Sequence, residues 1–307
     1  MRFNSIVFND LELDVLLGDR KNKLGAKKSL ILFFLTLPDF KNLFEVVYLP
    51  ESILNDEEFF KQIRPLMGKI GVSFDSKLII GEEGILDYSY NPLQDLVRYK
   101  AKYDLYGVHY KVNFGKRLIQ KSPKYDEYVL NSQYNWMNVV IMQQYCLKNS
   151  ISLMVDLMLS FMENSSEDYY IHMRQILWEG VDVFRRMNMK FNMIRLVVSP
   201  FYPRLRGLRN GEILDSANIA HTTLRCITEC LSKEKMLVLV RSCVDFSLVS
   251  YVKYLRYYGS HGKDVEVEGI ICGDCLVEYV RDWDFREKNL REAQTNFLGV
   301  IGKLASA

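Results

Sequence analysis

Residues Phe191 to Gly211 read FNMIRLVVSPFYPRLRGLRNG. The first half, MIRLVVS, is an apolar and β-branched run, the composition of a buried strand. Ser199-Pro200 ends it, and a basic loop with Arg204, Arg206 and Arg209 follows. The neighbouring segments repeat this arrangement. Tyr169 to Met187 predicts a helix before the strand, and Ser216 to Leu231 one after it. Met236 to Val240, MLVLV, is the next strand, followed by a helix over Ser247 to Tyr257. Val265 to Ile271 is the last strand and Glu287 to Leu304 the last helix.

The first half of the chain alternates in the same way. Strands are expected at Ser5 to Asn9, Phe44 to Leu49, Val72 to Phe74, Val108 to Phe114 and Ile151 to Met158. Helices are expected at Lys27 to Leu37 (stopped by Pro38), Asp56 to Met67, Leu93 to Lys102 and Tyr125 to Lys148. Ser76 to Tyr90 reads as irregular, with a turn at Gly81-Glu82-Glu83-Gly84. Runs such as MLVLV are nearly continuous in apolar residues, which suits strands buried on both faces of a parallel sheet. Eight strand-helix units in 307 residues match the count of a (β/α)8 barrel, the α/β TIM-barrel class. A doubly wound open sheet is the alternative, but no G-x-G-x-x-G follows the first strand.

Composition narrows the function classes. The chain is 49% hydrophobic and 25% charged, and the net charge of +2 gives no global pull toward nucleic acid or anionic membrane. No window approaches eighteen uncharged apolar residues. The N-terminal MRFNSIVFNDLELD reaches acidic residues too early for a signal peptide. Six cysteines in a chain this long do not form a disulfide scaffold, so a reducing cytoplasm is expected. With no low-complexity segment or Pro-rich linker, residues 1 to 307 read as one domain.

Several strings resemble class I fructose-bisphosphate aldolase, a (β/α)8 Schiff-base enzyme. The run Trp283…Glu287-Lys288-Asn289-Leu290-Arg291-Glu292-Ala293-Gln294…Leu304-Ala305 is similar to the family's W…K-E-N-L-K-A-A-Q…L-A. Tyr99-Lys100, with Val112 following, resembles Y-K-K-D-G-C-D-F-A-K-W-R-C-V. Ile6-Val7-Phe8-Asn9-Asp10 is similar to I-L-A-A-D, and Gly71-Val72-Ser73-Phe74-Asp75 to G-I-K-V-D. The similarity is thin but collinear over nearly the whole chain.

Carried over by position, the resemblance implies a degenerate site. The family's Schiff-base lysine, in L-L-K-P, falls on Ser199. A-K-W-R falls on Gly107-Val108-His109-Tyr110, replacing a lysine and an arginine by Val108 and Tyr110. The lysine of G-I-K-V-D is Ser73. The S-G-G string falls near Ser242-Cys243-Val244, and S-Y-G-R on Ile271-Cys272-Gly273-Asp274. Asp10 matches the strand-one aspartate, Asp156 stands where a glutamate would, and the sequence stops at Ala307, before the family's tyrosine-bearing tail. Serine cannot form the iminium that acts as electron sink. A sugar bisphosphate carries about four negative charges, each wanting Arg, Lys or a nest of N–H groups. The expected function is therefore that of a catalytically inactive pseudoenzyme, related to a glycolytic enzyme but serving as a binding or structural protein. The alternative is an active carbon-carbon lyase with a displaced lysine. Lys111 is the nearest candidate, although the alignment of Val108 and Tyr110 with the site points it away from the barrel interior.

Other constellations carry two readings each. Asp10, Asp75 and Asp156, at three strand ends, form either an acidic cluster for proton transfer or a metal, or relic carboxylates bonded to neighbours. Cys272 and Cys275 form a lone C-x-x-C near Cys243, a zinc or redox set at best and packing residues otherwise. His109, His172, His221 and His261 are scattered and read as structural or surface residues, with His109 directed away from the axis. Arg20, Lys21, Lys23, Lys27 and Lys28 after the first strand, with Arg204, Arg206 and Arg209 after the sixth, make either a basic rim for a residual phosphate, an acidic protein or RNA, or solvated loops. No cofactor is expected. The resemblance adds a homo-oligomer as an expectation, and no membrane partner is expected.

Overall fold

The computed structural model describes residues 3–10, 13–14, 22–75, 79–80, 86–87, 92–113, 126–158, 166–198, 226, 236–242, 265–272, 295 and 299. Ten strands lie in this set. They are β1 (Phe3–Val7), β2 (Val46–Pro50), β3 (Lys69–Asp75), β4 (Ile79–Ile80), β5 (Leu86–Asp87), β6 (Leu105–Asn113), β7 (Ser152–Met158), β8 (Arg195–Val198), β9 (Met236–Ser242) and β10 (Val265–Cys272).

Eight of them pair in the order β1-β10-β9-β8-β7-β6-β3-β2, and β1 pairs with both β10 and β2, so the sheet closes on itself. Every pair in this ring is parallel. The remaining two, β4 and β5, form a small antiparallel pair, Ile80 opposite Leu86, within the stretch read from sequence as irregular. Two-residue strands give no run long enough for period-two alternation to register.

The helices between the strands form the outer layer: α1 (Lys23–Leu35), α2 (Phe40–Leu43), α3 (Glu51–Leu54), α4 (Glu57–Ile63), α5 (Pro92–Lys102), α6 (Asp126–Lys148) and α7 (Ser166–Arg186). The helices expected after β8, β9 and β10 lie outside the described residues, apart from helical positions at Cys226, Thr295 and Gly299. Asn22 caps α1 by accepting from the Gly25 N–H, and Asp56 caps α4 by accepting from the Phe59 N–H. Among the described residues, no helix is long and apolar enough to cross a membrane.

Strand alternation splits the barrel into two environments. The outward set, including Val72, Phe74, Val108, Tyr110, Val112, Val155 and Leu157, joins one apolar core with Phe34, Leu96, Trp136, Val140 and Phe184 of the helices. The inward set is smaller or polar. Tyr48 fills the lower interior, against the bare backbones of Gly71 and Gly107. A Cβ on Gly71 would meet the Tyr48 ring at 2.3 Å, and one on Gly107 would meet its hydroxyl at 2.6 Å. In the outer layer, Trp136 donates from Nε1 to the Ile176 carbonyl at 3.0 Å and packs its ring where a Gly180 Cβ would stand. These contacts fix α6 against α7 and hold β6 and β7, which carry the polar interior, in place.

Candidate active site

Three strands bring polar side chains to the C-terminal half of the interior, the end at which such barrels do chemistry. The alternating strings are V-S-F-D in β3, V-H-Y-K-V in β6 and V-D-L in β7. Their apolar members face the helices, so Ser73, Asp75, His109, Lys111 and Asp156 face inward. In the strand register Asp75, Lys111 and Asp156 lie side by side, and Ser73 and His109 lie one layer below them.

The polar groups form a continuous chain. Asn9 Nδ2 donates to Ser73 Oγ at 3.2 Å and to Asp75 Oδ1 at 3.2 Å. Ser73 Oγ lies 2.9 Å from His109 Nδ1, and His109 Nε2 lies 3.3 Å from Asp156 Oδ2. An amide nitrogen can only donate, so the serine accepts from Asn9. An ionised carboxylate can only accept, so in the neutral imidazole the hydrogen sits on Nε2 and faces Asp156, and Nδ1 accepts from the Ser73 hydroxyl. Ser73 is 1% exposed, Asn9, His109 and Asp156 are fully buried, and Lys111 is 5% exposed. Groups desolvated this far are stable only because each is hydrogen-bonded.

This arrangement corrects three expectations. Val108 and Tyr110 belong to the outer apolar core, Tyr110 packing on Phe74 with ring centroids 5.3 Å apart, so neither faces the site. His109 is an interior residue rather than a surface one, and Lys111 points into the barrel rather than away from it. The signal was present in the sequence: in VHYKVN the apolar residues share one face and the polar residues the other.

Asp10 belongs to a different environment. It lies beyond the end of β1 and accepts from Lys27 Nζ at 2.6 Å, from the Ser52 N–H at 3.0 Å and from the Ser52 hydroxyl. Lys27 also reaches Asp14 at 3.0 Å, and Lys28 pairs with Asp56, so carboxylates hold these two lysines of the expected basic rim. Burial by itself would lower the Lys27 pKa, but the hydrogen bonds and charges of Asp10 and Asp14 overcome it, and the net shift is upward. This cluster ties α1 and the start of α3 to the end of β1. Asn9, which the sequence reading passed over, is the residue of that segment that enters the interior chain.

Ser199, Arg20, Lys21, Arg204, Arg206, Arg209, Cys243, Cys275, His221 and His261 lie outside the described residues. Cys272 is the last residue of β10, paired with Val7. Among the described residues no group of three or more His, Cys, Asp or Glu side chains could hold a metal ion. Cys146 is buried, which pushes its thiol up to about 12 and leaves it unreactive. Cys226 is also buried, its sulfur 3.5 Å from the Tyr170 carbonyl.

No family model and no curated protein matches this sequence. Among solved structures, the chain is similar to fructose-bisphosphate aldolase from Plasmodium falciparum, with a TM-score of 0.65 and 11% identity over 97% of this chain and 88% of that one. An archaeal fructose-1,6-bisphosphate aldolase aligns with a TM-score of 0.46 and 11% identity over 95% of this chain and 92% of that one. The first of these places the chain among aldolase-like α/β barrels in fold.

Proposed function

We propose that this chain is a divergent class I fructose-bisphosphate aldolase-like (β/α)8 barrel, one domain over residues 1–307, that has lost Schiff-base chemistry and acts as a cytoplasmic binding or structural protein. The observation that carries this reading is the content of the barrel interior. At the position of the G-I-K-V-D lysine stands Ser73, hydrogen-bonded to His109. The inward lysine of β6, Lys111, stands between Asp75 and Asp156 in the strand register. The Ser73 hydroxyl cannot form the iminium that serves as the electron sink. Ser199 in place of the L-L-K-P lysine adds to the same argument. The partner is a macromolecule, an acidic protein or RNA, reached through the basic rim of Arg20, Lys21, Arg204, Arg206 and Arg209. The resemblance extends this proposal to a homo-oligomer.

A second reading rests on a specific observation. Lys111 faces inward at the layer where the mouth carries its charges, so an active aldolase using Lys111 as the displaced amine is the competing proposal. One experiment separates the two. The protein is incubated with fructose 1,6-bisphosphate or dihydroxyacetone phosphate, reduced with borohydride and weighed intact beside an active aldolase. The pseudoenzyme reading expects the unmodified mass. An adduct mapped to Lys111 establishes the second reading and overturns the first.

A further inference from the structure

The interior chain carries a nucleophile that the loss of an amine does not touch. We propose that Ser73 is a nucleophile toward small uncharged esters, with His109 as its general base and Asp156 as the residue that positions the imidazole. Three strands contribute one group each, and the hydrogen bonds run in the order that acyl transfer requires. The Ser73 hydroxyl, 2.9 Å from Nδ1, gives its proton to the imidazole, and Nε2, 3.3 Å from Asp156, is held by a buried carboxylate. Asn9 Nδ2, 3.2 Å from Ser73 Oγ and from Asp75 Oδ1, holds the reacting hydroxyl oxygen in place.

The step balances within these groups. Ser73 Oγ bonds to the ester carbonyl carbon while its proton moves to His109 Nδ1. The bond from that carbon to the alcohol oxygen breaks, and the alcohol leaves with the proton from Nδ1. Water then adds to the acyl-serine, again losing a proton to His109, and the acid leaves as Ser73 recovers its hydrogen.

The surroundings select the substrate class. Below Ser73 the interior is filled by Tyr48 against Gly71 and Gly107, so an ester enters from the C-terminal end. The layer it passes holds Asp75, Lys111 and Asp156, two acids and one base. Among the described residues that layer is formally net negative, which favours neutral esters over anionic ones. Ser73 is 1% exposed, so only a small molecule that parts the mouth side chains reaches it. The proposal is independent of the pseudoenzyme reading, because borohydride trapping reports an amine and the test below reports a hydroxyl.

The full-length protein is exposed to diisopropyl fluorophosphate, weighed intact and peptide-mapped. Oγ bonds to phosphorus and fluoride leaves, so one diisopropylphosphoryl group on Ser73 is expected. Ser73→Ala takes up no label, and His109→Ala slows labelling by about 10²- to 10⁴-fold. With p-nitrophenyl acetate, Asp156→Asn lowers kcat and leaves KM unchanged, because Asp156 touches the imidazole and not the ester. The wild-type mapping needs no variant to fold. Folded protein that remains unlabelled at millimolar probe, or a label on another residue, overturns the proposal. So does a Ser73 label that forms as fast in His109→Ala as in the wild type.

Discussion

Asp10 and Asp156 are the same residue type near the C-terminal ends of two parallel barrel strands, yet they sit in opposite environments. Asp10 is turned toward the helical layer, where Lys27 and Ser52 hold it and its side chain keeps 26% of its exposure. Asp156 is turned into the barrel, fully buried, with His109 as its partner. Asp10 joins helices to a strand and can share its load with water. Asp156 orders a desolvated polar chain in which every member depends on the next. The difference teaches that a carboxylate at a strand end marks a site only when the strand presents it inward.

Three substitutions sharpen this contrast. Asp156→Ala should have the largest effect, a loss of about 3 kcal/mol, because it strands the buried His109 N–H without its acceptor. Chemical denaturation with an unchanged m-value checks it, and a loss below that of a surface carboxylate would mean the chain is not a cooperative unit. Gly71→Ala should cost about 2 kcal/mol, since its Cβ would fall 2.3 Å from the Tyr48 ring and 2.8 Å from the Gly107 carbonyl, where backbone cannot yield. The denaturation midpoint reads this directly, and pairing it with Tyr48→Ala, which removes the ring it strikes, tests whether the lower interior is as tightly filled as described.

Lys27→Met should be the mildest, at about 1 kcal/mol, because Asp10 and Asp14 regain water once the ammonium is gone. The wild-type contribution has a defined pH window. The folded-state pKa of Lys27 is raised above 10.5, so its stabilisation is complete below that value and is lost as pH rises through the folded pKa. Thermal melts of wild type and Lys27→Met should therefore converge at alkaline pH. Parallel curves would show that the ion cluster contributes through packing alone.

The element order was largely legible in the sequence because continuous apolar runs and 3.6-residue periodicity survive without knowledge of long-range partners. β6 and α6 were placed within a few residues, and the apolar set of VHYKVN was correctly a strand. The short helices α2 and α3 were missed, since four residues hold barely one turn. Of the candidate positions, Ser73, Asp75 and Asp156 face inward, whereas Val108 and Tyr110 of β6 face the helices. The apolar character of Val108 and Tyr110 already places them against the helices rather than in the interior.

Sequence by itself determined that strands and helices alternate, that the strands are buried on both sides, and that acidic, basic and hydroxyl groups recur at strand ends. Which of those groups meet was decided by tertiary structure alone. Asn9 and Ser73 are 64 residues apart, Ser73 and His109 36 apart, and His109 and Asp156 47 apart. Only the closure of the sheet into a barrel turns their faces toward one axis, and only the apolar helical layer on the other side fixes which face that is.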